Sequence, residues 1–549
     1  MKTLKLIAIL ACSFILICCS KKEYNRVKNV IILIPDGASF SLLTLARWHI
    51  DSEKQQSNKD SLLAFDPYIC GIIRTHNANG TFPDSAPTST AYATGVKTIA
   101  PYIGIDSSAH PRVSVLELAR RKGLATGIVA TCEFPHVTPA DFVCHYNSRE
   151  DGNYKNLAKQ FIYNSPNLVF AGGERYLDEH GYNSLLKPNN IKLITDKNVF
   201  NQTNSLSDSC LWALFSGTGR YPTNYLAYEC DRDTAKAPSL SEMTDKAINL
   251  LKQNKNGFFL MVEGSQIDWA AHSNDPYAAV TDVLEFNKAV AVALAFAKKD
   301  KNTVVIICPD HGTGGITIGN ERSNNAYNKI SINDSIIMPL RQIKKSGRNL
   351  AELALENSAN ISDDLLKKYL NAYNINEPTN DLLELIRSVM TGEGANEEEY
   401  IAKRDCLQVL TGRAFSKQNF IGWTTSGHTA EDVFLAIYAP KPVKKLTGMV
   451  DNYEIGKYIA QVLKLEDFDK TTEKLFQKHT KEHTPFFNVN DTISWNSDSL
   501  LIKKNGKILS LEPNSNILKI KGEKEVRLSS IVICINEIYY LPESIKDFL

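Results

Sequence analysis

Lys28-Asn29-Val30-Ile31-Ile32-Leu33-Ile34-Pro35-Asp36-Gly37 is the stretch whose reading decides the fold. Its apolar, β-branched run has no polar alternation, so it predicts a strand over 29–34 buried on both faces, as in a parallel sheet. It then breaks on a carboxylate, Asp36, at the end of the strand where open α/β sheets place their ligands. Four more runs have the same texture, at 124–131, 258–262, 303–308 and 433–438. Amphipathic stretches at helical spacing separate them, notably 113–121, 243–251 and 277–297. The alternation predicts a three-layer α/β/α sandwich around a mainly parallel sheet.

The rest of the chain is organised around that unit. With 549 residues, 43% hydrophobic and 22% charged, it can bury a large core, which excludes disordered and fibrous classes. A formal charge of +1 without a basic run gives no footprint for nucleic acid. Lys2 and Lys5 precede an apolar run at 6–19 that is too short to span a bilayer and reads as a secretory leader. Its end, Leu16-Ile17-Cys18-Cys19-Ser20, resembles a bacterial lipobox with Cys19 as the lipidated residue, a plain cleaved signal peptide being the alternative. A periplasmic or cell-envelope protein, held to a membrane only through a lipid, is therefore expected.

Eight cysteines follow the leader, in a compartment that permits disulfides. Cys210 and Cys230 are the pair to test first, Cys308 reads as a free core thiol, and without a CxxC motif no cysteine-based zinc site is expected. The expected catalytic domain runs over 24–480, with an inserted subdomain at about 320–418 carrying helical patterns at 363–370 and 381–390. From 486 to 549 short alternating segments and Asn-Gly or Pro-Asn turns predict a small β-rich module.

The polar residues just beyond the strand-like runs carry the chemistry. Asp36 follows the first, Glu263 and Asp268 another, Asp310 and His311 a third. In Asp268-Trp269-Ala270-Ala271-His272 the carboxylate and imidazole are four apart, so one helical face can offer both to one ion. The segment Asp84-Ser85-Ala86-Pro87-Thr88-Ser89 reads as a loop entering a helix. Ser85 is there either an N-cap or a nucleophile whose alkoxide the helix amides and a nearby cation stabilise.

These motifs, in this order, resemble the alkaline phosphatase family. The resemblance rests on 28–37, on Asp84-Ser85-Ala86 through Thr94-Gly95-Val96-Lys97-Thr98, on Val262-Glu263-Gly264 through His272, on Asp310-His311, and on Ser426-Gly427-His428-Thr429. It implies phosphate-monoester hydrolysis through a phosphoserine on Ser85, with two Zn2+ and one Mg2+. It further implies one zinc held by Asp268, His272 and His428, and the second by Asp36, Asp310 and His311. Magnesium would take Thr138, Glu263 and a bridging Asp36, and Arg149 would clamp the phosphate. Two positions are where members of the family vary. His136 would retune the magnesium site or draw a softer ion, and Trp269 would pack near the phosphate or serve as a core aromatic. Small phosphate monoesters are the implied partners, and a homodimer is left open.

Two other readings compete. A sulfatase is disfavoured because the nucleophile segment lacks the Cys- or Ser-x-Pro-x-Arg pattern that formylglycine requires, and a phosphodiesterase because the full clamp and magnesium set is present. A catalytically silent binding protein would keep metal or phosphate affinity without Ser85-dependent turnover.

Overall fold

The computed structural model describes residues 27–549 except 55–60, 150–153, 207–208, 218–222, 357–361, 377, 391–395, 488–491 and 505. The leader and Cys19 lie outside the described residues. In chain order the first fourteen strands are β1 Asn29–Ile34, β2 Ile69–Arg74, β3 Ala125–Glu133, β4 Leu168–Gly172, β5 Ile191–Ile194, β6 Cys210–Leu214, β7 Phe258–Glu263 and β8 Thr303–Ile307, followed by β9 Gly312–Thr313, β10 Ile316–Ile318, β11 Ile421–Trp423, β12 His428–Thr429, β13 Val433–Tyr438 and β14 Gly448–Asp451.

All six residues of β1 are buried, as the unbroken apolar run requires. Ile31 and Leu33 enter the core on one side of the sheet, and Val30, Ile32 and Ile34 the core on the other. That division is the two-residue period of a strand acting inside a three-layer sandwich. Ten strands form the sheet in the order β14-β2-β13-β8-β1-β7-β3-β4-β6-β5. β1 pairs in parallel with both β7 and β8, whereas β13 runs antiparallel between β8 and β2. One face is covered by helices that include Leu240–Leu251 and Pro276–Asp300, the other by Ser85–Thr94, Val115–Arg121 and Asn452–Leu463.

The five runs read as strands are strands, within two residues at each end. The helix expected from 113 begins at Val115 because Ser114 and Glu117 close a reciprocal capping box at its first turn. β2 and β5 carry polar, glycine or cysteine interruptions and lie toward the sheet edges, where burial is less complete, while β4 and β6 are largely buried but only five residues long. Between 320 and 420 the chain is largely helical, with Asp363–Ala372 and Asn380–Met390 matching the two helical patterns. A second, seven-stranded antiparallel sheet occupies the C-terminal part, starting at Gln477–His479 and ending at Ile538–Leu541, with its own apolar core.

All eight described cysteines are free. Cys210 and Cys230 are therefore not bridged, because they pack against cores on opposite faces of the sheet. Cys308 is the buried free thiol expected.

Candidate active site

Because β1 lies between β7 and β8, three carboxyl ends converge on one edge of the sheet. β1 delivers Asp36, β7 delivers Glu263, and the turn after β8 delivers Asp310 and His311. The Gln266–His272 helix follows β7 directly and presents Asp268 and His272 one turn apart, with His272 Nε2 at 3.2 Å from Asp268 Oδ2. His428 arrives from more than a hundred residues away through the β12–β9 ladder, where it pairs with Thr313. Its Nε2 lies 3.1 Å from His272 Nε2 and 3.9 Å from Asp268 Oδ1.

Two donor clusters result. Asp36, Asp310 and His311 form one, with His311 Nε2 at 3.6 Å from Asp36 Oδ1 and 3.4 Å from Asp310 Oδ2. Asp268 and His428 meet His311 in the other, with its ring stacked 3.7 Å from that of His428. Thr313 orients both, since its hydroxyl donates to Asp268 Oδ1 at 2.5 Å and lies 3.2 Å from His311 Nδ1.

Ser85 is the first residue of a fully buried helix, Ser85–Thr94, and its Oγ lies 3.1 Å from His311 Nε2. Asp84 caps that helix by accepting from the Ser85 amide at 2.8 Å, so the N-cap role belongs to Asp84 and leaves the Ser85 hydroxyl facing the clusters. The Tyr92 hydroxyl donates to the Pro309 carbonyl at 2.6 Å, tying the same helix to the turn that carries Asp310 and His311. Arg149 donates to Asp84, which holds its guanidinium beside Ser85. Trp269 meets Tyr225 edge-on at 4.4 Å and His136 at 5.6 Å. It lines a cavity of about 810 Å³ with His272, Tyr225 and Arg348.

The electrostatics call for cations. Burial pushes Asp36 well above its ordinary value, and the neighbouring Asp310, Asp268 and Glu263 add to it. Burial likewise lifts Glu263 to about 8, with Asp310 contributing. For Asp268 burial acts upward, but His272, His311 and His428 outweigh it and hold the carboxylate ionised. His272 is displaced up to about 9, burial being overcome by Asp268. Both oxygens of Asp36, Asp310 Oδ2, Glu263 Oε1 and Thr138 Oγ1 are buried without a hydrogen-bond partner. Buried, like-charged carboxylates left in that state are unstable unless a cation compensates them, so this donor set fits divalent ions.

The expected residues lie on the strand ends and adjoining turns (Asp36, Glu263, Asp310, His311), on the Ser85–Thr94, Gln266–His272 and Val137–Asp141 helices (Ser85; Asp268, Trp269 and His272; Thr138, with His136 just before it), on the short strand β12 (His428) and in the chain between helices (Arg149). Three contributors were not expected. Thr313 and the Arg149-holding role of Asp84 have no signal in a single sequence, since both are long-range contacts. Cys132 is the third: its thiol donates to Glu263 Oε2 at 3.3 Å, and it forms a close group with His136 and Glu263. A search for CxxC pairs passes over it because its partners come from four residues on and from a different strand.

The family model described as alkaline phosphatase matches residues 27–465. Alkaline phosphatase 4 of Bacillus subtilis is 33% identical over 454 residues, spanning 81% of this chain and 90% of that protein. The repressible alkaline phosphatase of Saccharomyces cerevisiae is 29% identical over 501 residues, spanning 83% and 85%. Among solved structures, a cold-active alkaline phosphatase from a psychrophilic Shewanella superposes with a TM-score of 0.67 at 26% identity, covering 79% of this chain and 99% of that one. The C-terminal sheet lies beyond the residues that the family model matches.

Proposed function

The chain belongs to the alkaline phosphatase family and hydrolyses phosphate monoesters, and from that premise we propose that Ser85 is the attacking group. The observation that carries the assignment is Ser85 Oγ at 3.1 Å from His311 Nε2, at a helix N-terminus and against two clusters of metal donors. Asp268, His272 and His428 would hold one zinc, and Asp36, Asp310 and His311 the other. Bound there, the two ions supply positive charge that lowers hydroxyl pKa values and neutralises oxygens as they become anionic. For the third ion, Thr138, Glu263 and Asp36 are the oxygen set, for which the family implies magnesium.

The chain's own groups account for the remaining steps. Arg149, fixed by Asp84, presents a planar fork to two phosphate oxygens and orients phosphorus toward Ser85 Oγ. The helix amides behind Ser85 favour negative charge at its oxygen. The Oγ–P bond forms as the ester P–O bond breaks and the alcohol leaves. Water then cleaves the phosphoserine and inorganic phosphate departs. Trp269 lines the approach, where the alcohol portion of the substrate would lie.

Release of phosphate from an aryl monoester, compared with an aryl diester, tests this reading. The monoester is expected to be far the better substrate, with turnover abolished in Ser85→Ala. Turnover that survives in the variant, or a preference for the diester, contradicts it. The proposed domain division is a catalytic domain of 24–480, with an insertion at about 320–418, and a small β-rich module at 486–549. Export with Cys19 as the lipidated residue is the proposed localisation, supported by the apolar leader at 6–19 and its lipobox-like end. Among the described residues no helix is long and apolar enough to cross a membrane. Incorporation of labelled fatty acid that is lost in Cys19→Ala checks the anchor, and sedimentation at twice the monomer mass checks assembly as a homodimer.

A further inference from the structure

We propose that Cys132 is a thiolate ligand of the third ion, which it holds together with His136 and Glu263, so that this position takes a zinc-class ion in preference to magnesium. The inference rests on the two-zinc reading above, and for the third ion it puts Cys132 and His136 beside Glu263 in place of the oxygen-only set of Thr138, Glu263 and Asp36 that the family implies. Cys132 is the penultimate residue of strand β3 and is buried, and the neighbouring strand β7 ends on Glu263. One ligand atom from each of Cys132, His136 and Glu263 lies within 4.8 Å of the other two, and all three residues are buried. Tetrahedral bonds of about 2.0–2.3 Å separate ligand atoms by about 3.5 Å, close to the 3.3 Å between Cys132 Sγ and Glu263 Oε2.

Two polar atoms in the group have nothing to bond. His136 Nδ1 and Glu263 Oε1 are buried without a partner, and His136 is only 8% exposed. A thiol packed as an inert core group would not gather an imidazole nitrogen and a carboxylate oxygen that both lack a hydrogen-bond partner around it. The backbone is fixed as well, because the Cys132 amide donates to Ser265 Oγ and His136 precedes the short helix bearing Thr138. Sulfur and imidazole donors select zinc and cobalt, whereas magnesium requires a near-octahedral oxygen shell. On binding, the thiol proton is released and the Sγ lone pair forms the bond to the ion, with no change in oxidation state.

The test is a titration of chelator-stripped full-length protein with cobalt(II) in excess magnesium, followed by absorption. The first two equivalents are expected to enter the histidine and aspartate clusters without a sulfur signature. The third is expected to bring a near-ultraviolet thiolate-to-cobalt charge-transfer band that magnesium does not displace. That band is expected to vanish in Cys132→Ser and to persist in Cys308→Ser, with uptake of two equivalents showing that the first variant is folded. A wild-type third equivalent without the band, a band that magnesium erases, or one retained in Cys132→Ser overturns the proposal while leaving the two-metal reading intact. Uptake of fewer than two equivalents overturns that reading and this inference with it.

Discussion

Gly37→Ala should damage metal binding far more than its size suggests. Gly37 follows Asp36 with φ +68°, and its amide donates to Asp310 Oδ1 at 3.1 Å. A Cβ there would lie 2.6 Å from Asp268 Oδ1, 2.8 Å from the Thr313 hydroxyl and 2.9 Å from the Asp268 Cα. The last contact is backbone, so the strain cannot be relieved by rotating a side chain. The left-handed conformation alone costs about 1–2 kcal/mol. Gly80→Ala, at φ +76° with nothing within 4 Å of the added Cβ, isolates that cost. In Gly37→Ala the loop or Asp268 must also retreat by about half an ångström, whereas ligand positions tolerate about 0.2 Å. We expect zinc affinity at the Asp268-His272-His428 cluster to fall at least about tenfold, which corresponds to roughly 1.4 kcal/mol. Competition against a chromogenic chelator measures it, with Gly80→Ala expected at the wild-type value. Equal zinc affinity in the two variants would refute the reasoning.

Arg149→Ala removes the phosphate fork and should raise KM, and the inhibition constant for inorganic phosphate, roughly tenfold to a hundredfold, with Arg149→Lys restoring little. Steady-state kinetics with phosphate as inhibitor check this. Asp275 caps the Pro276–Asp300 helix by accepting from the Ala278 amide at 3.0 Å, and it also accepts from the Gly347 amide at 2.7 Å and from the Tyr373 hydroxyl. Asp275→Ala should therefore loosen the 347–408 region at a cost on the order of 2–4 kcal/mol, read as faster proteolysis there, while Asp275→Asn keeps most of the effect away. His479 sits between Phe486 and Phe487, and burial, aided by His483, drops it to about 4. The unfolded chain takes up this proton near the ordinary 6.5, so stability is complete above that value and is lost as pH falls from about 6.5 to 4, by about 3 kcal/mol. Denaturant unfolding of His479→Phe against wild type should show that difference opening only below pH 6.5.

The central strands were legible because burial on both faces leaves an unbroken apolar run, as in Asn29–Ile34 and Thr303–Ile307. β2 was not, since Ile69, Ile72 and Arg74 are exposed and its run is broken by Cys70 and Gly71. The residues at the strand ends were legible by position, and the family resemblance supplied their division among ions. What a single sequence hides is closure in space. His428 reaches His272 only through the pairing of Thr313 with His428, and Asp84 reaches Arg149 across 65 positions. Cys132 was hidden for the same reason: its partner Glu263 stands 131 residues away on the adjacent strand.

The account stands most directly on Ser85 as the group that carries phosphate. Full-length enzyme turning over an aryl phosphate should be quenched in acid and its peptides mapped by mass spectrometry. A single phosphoryl group on Ser85, absent when Ser85→Ala protein is treated in the same way, is the predicted result. Normal turnover with no covalent phosphate, or with phosphate on another residue, would contradict it.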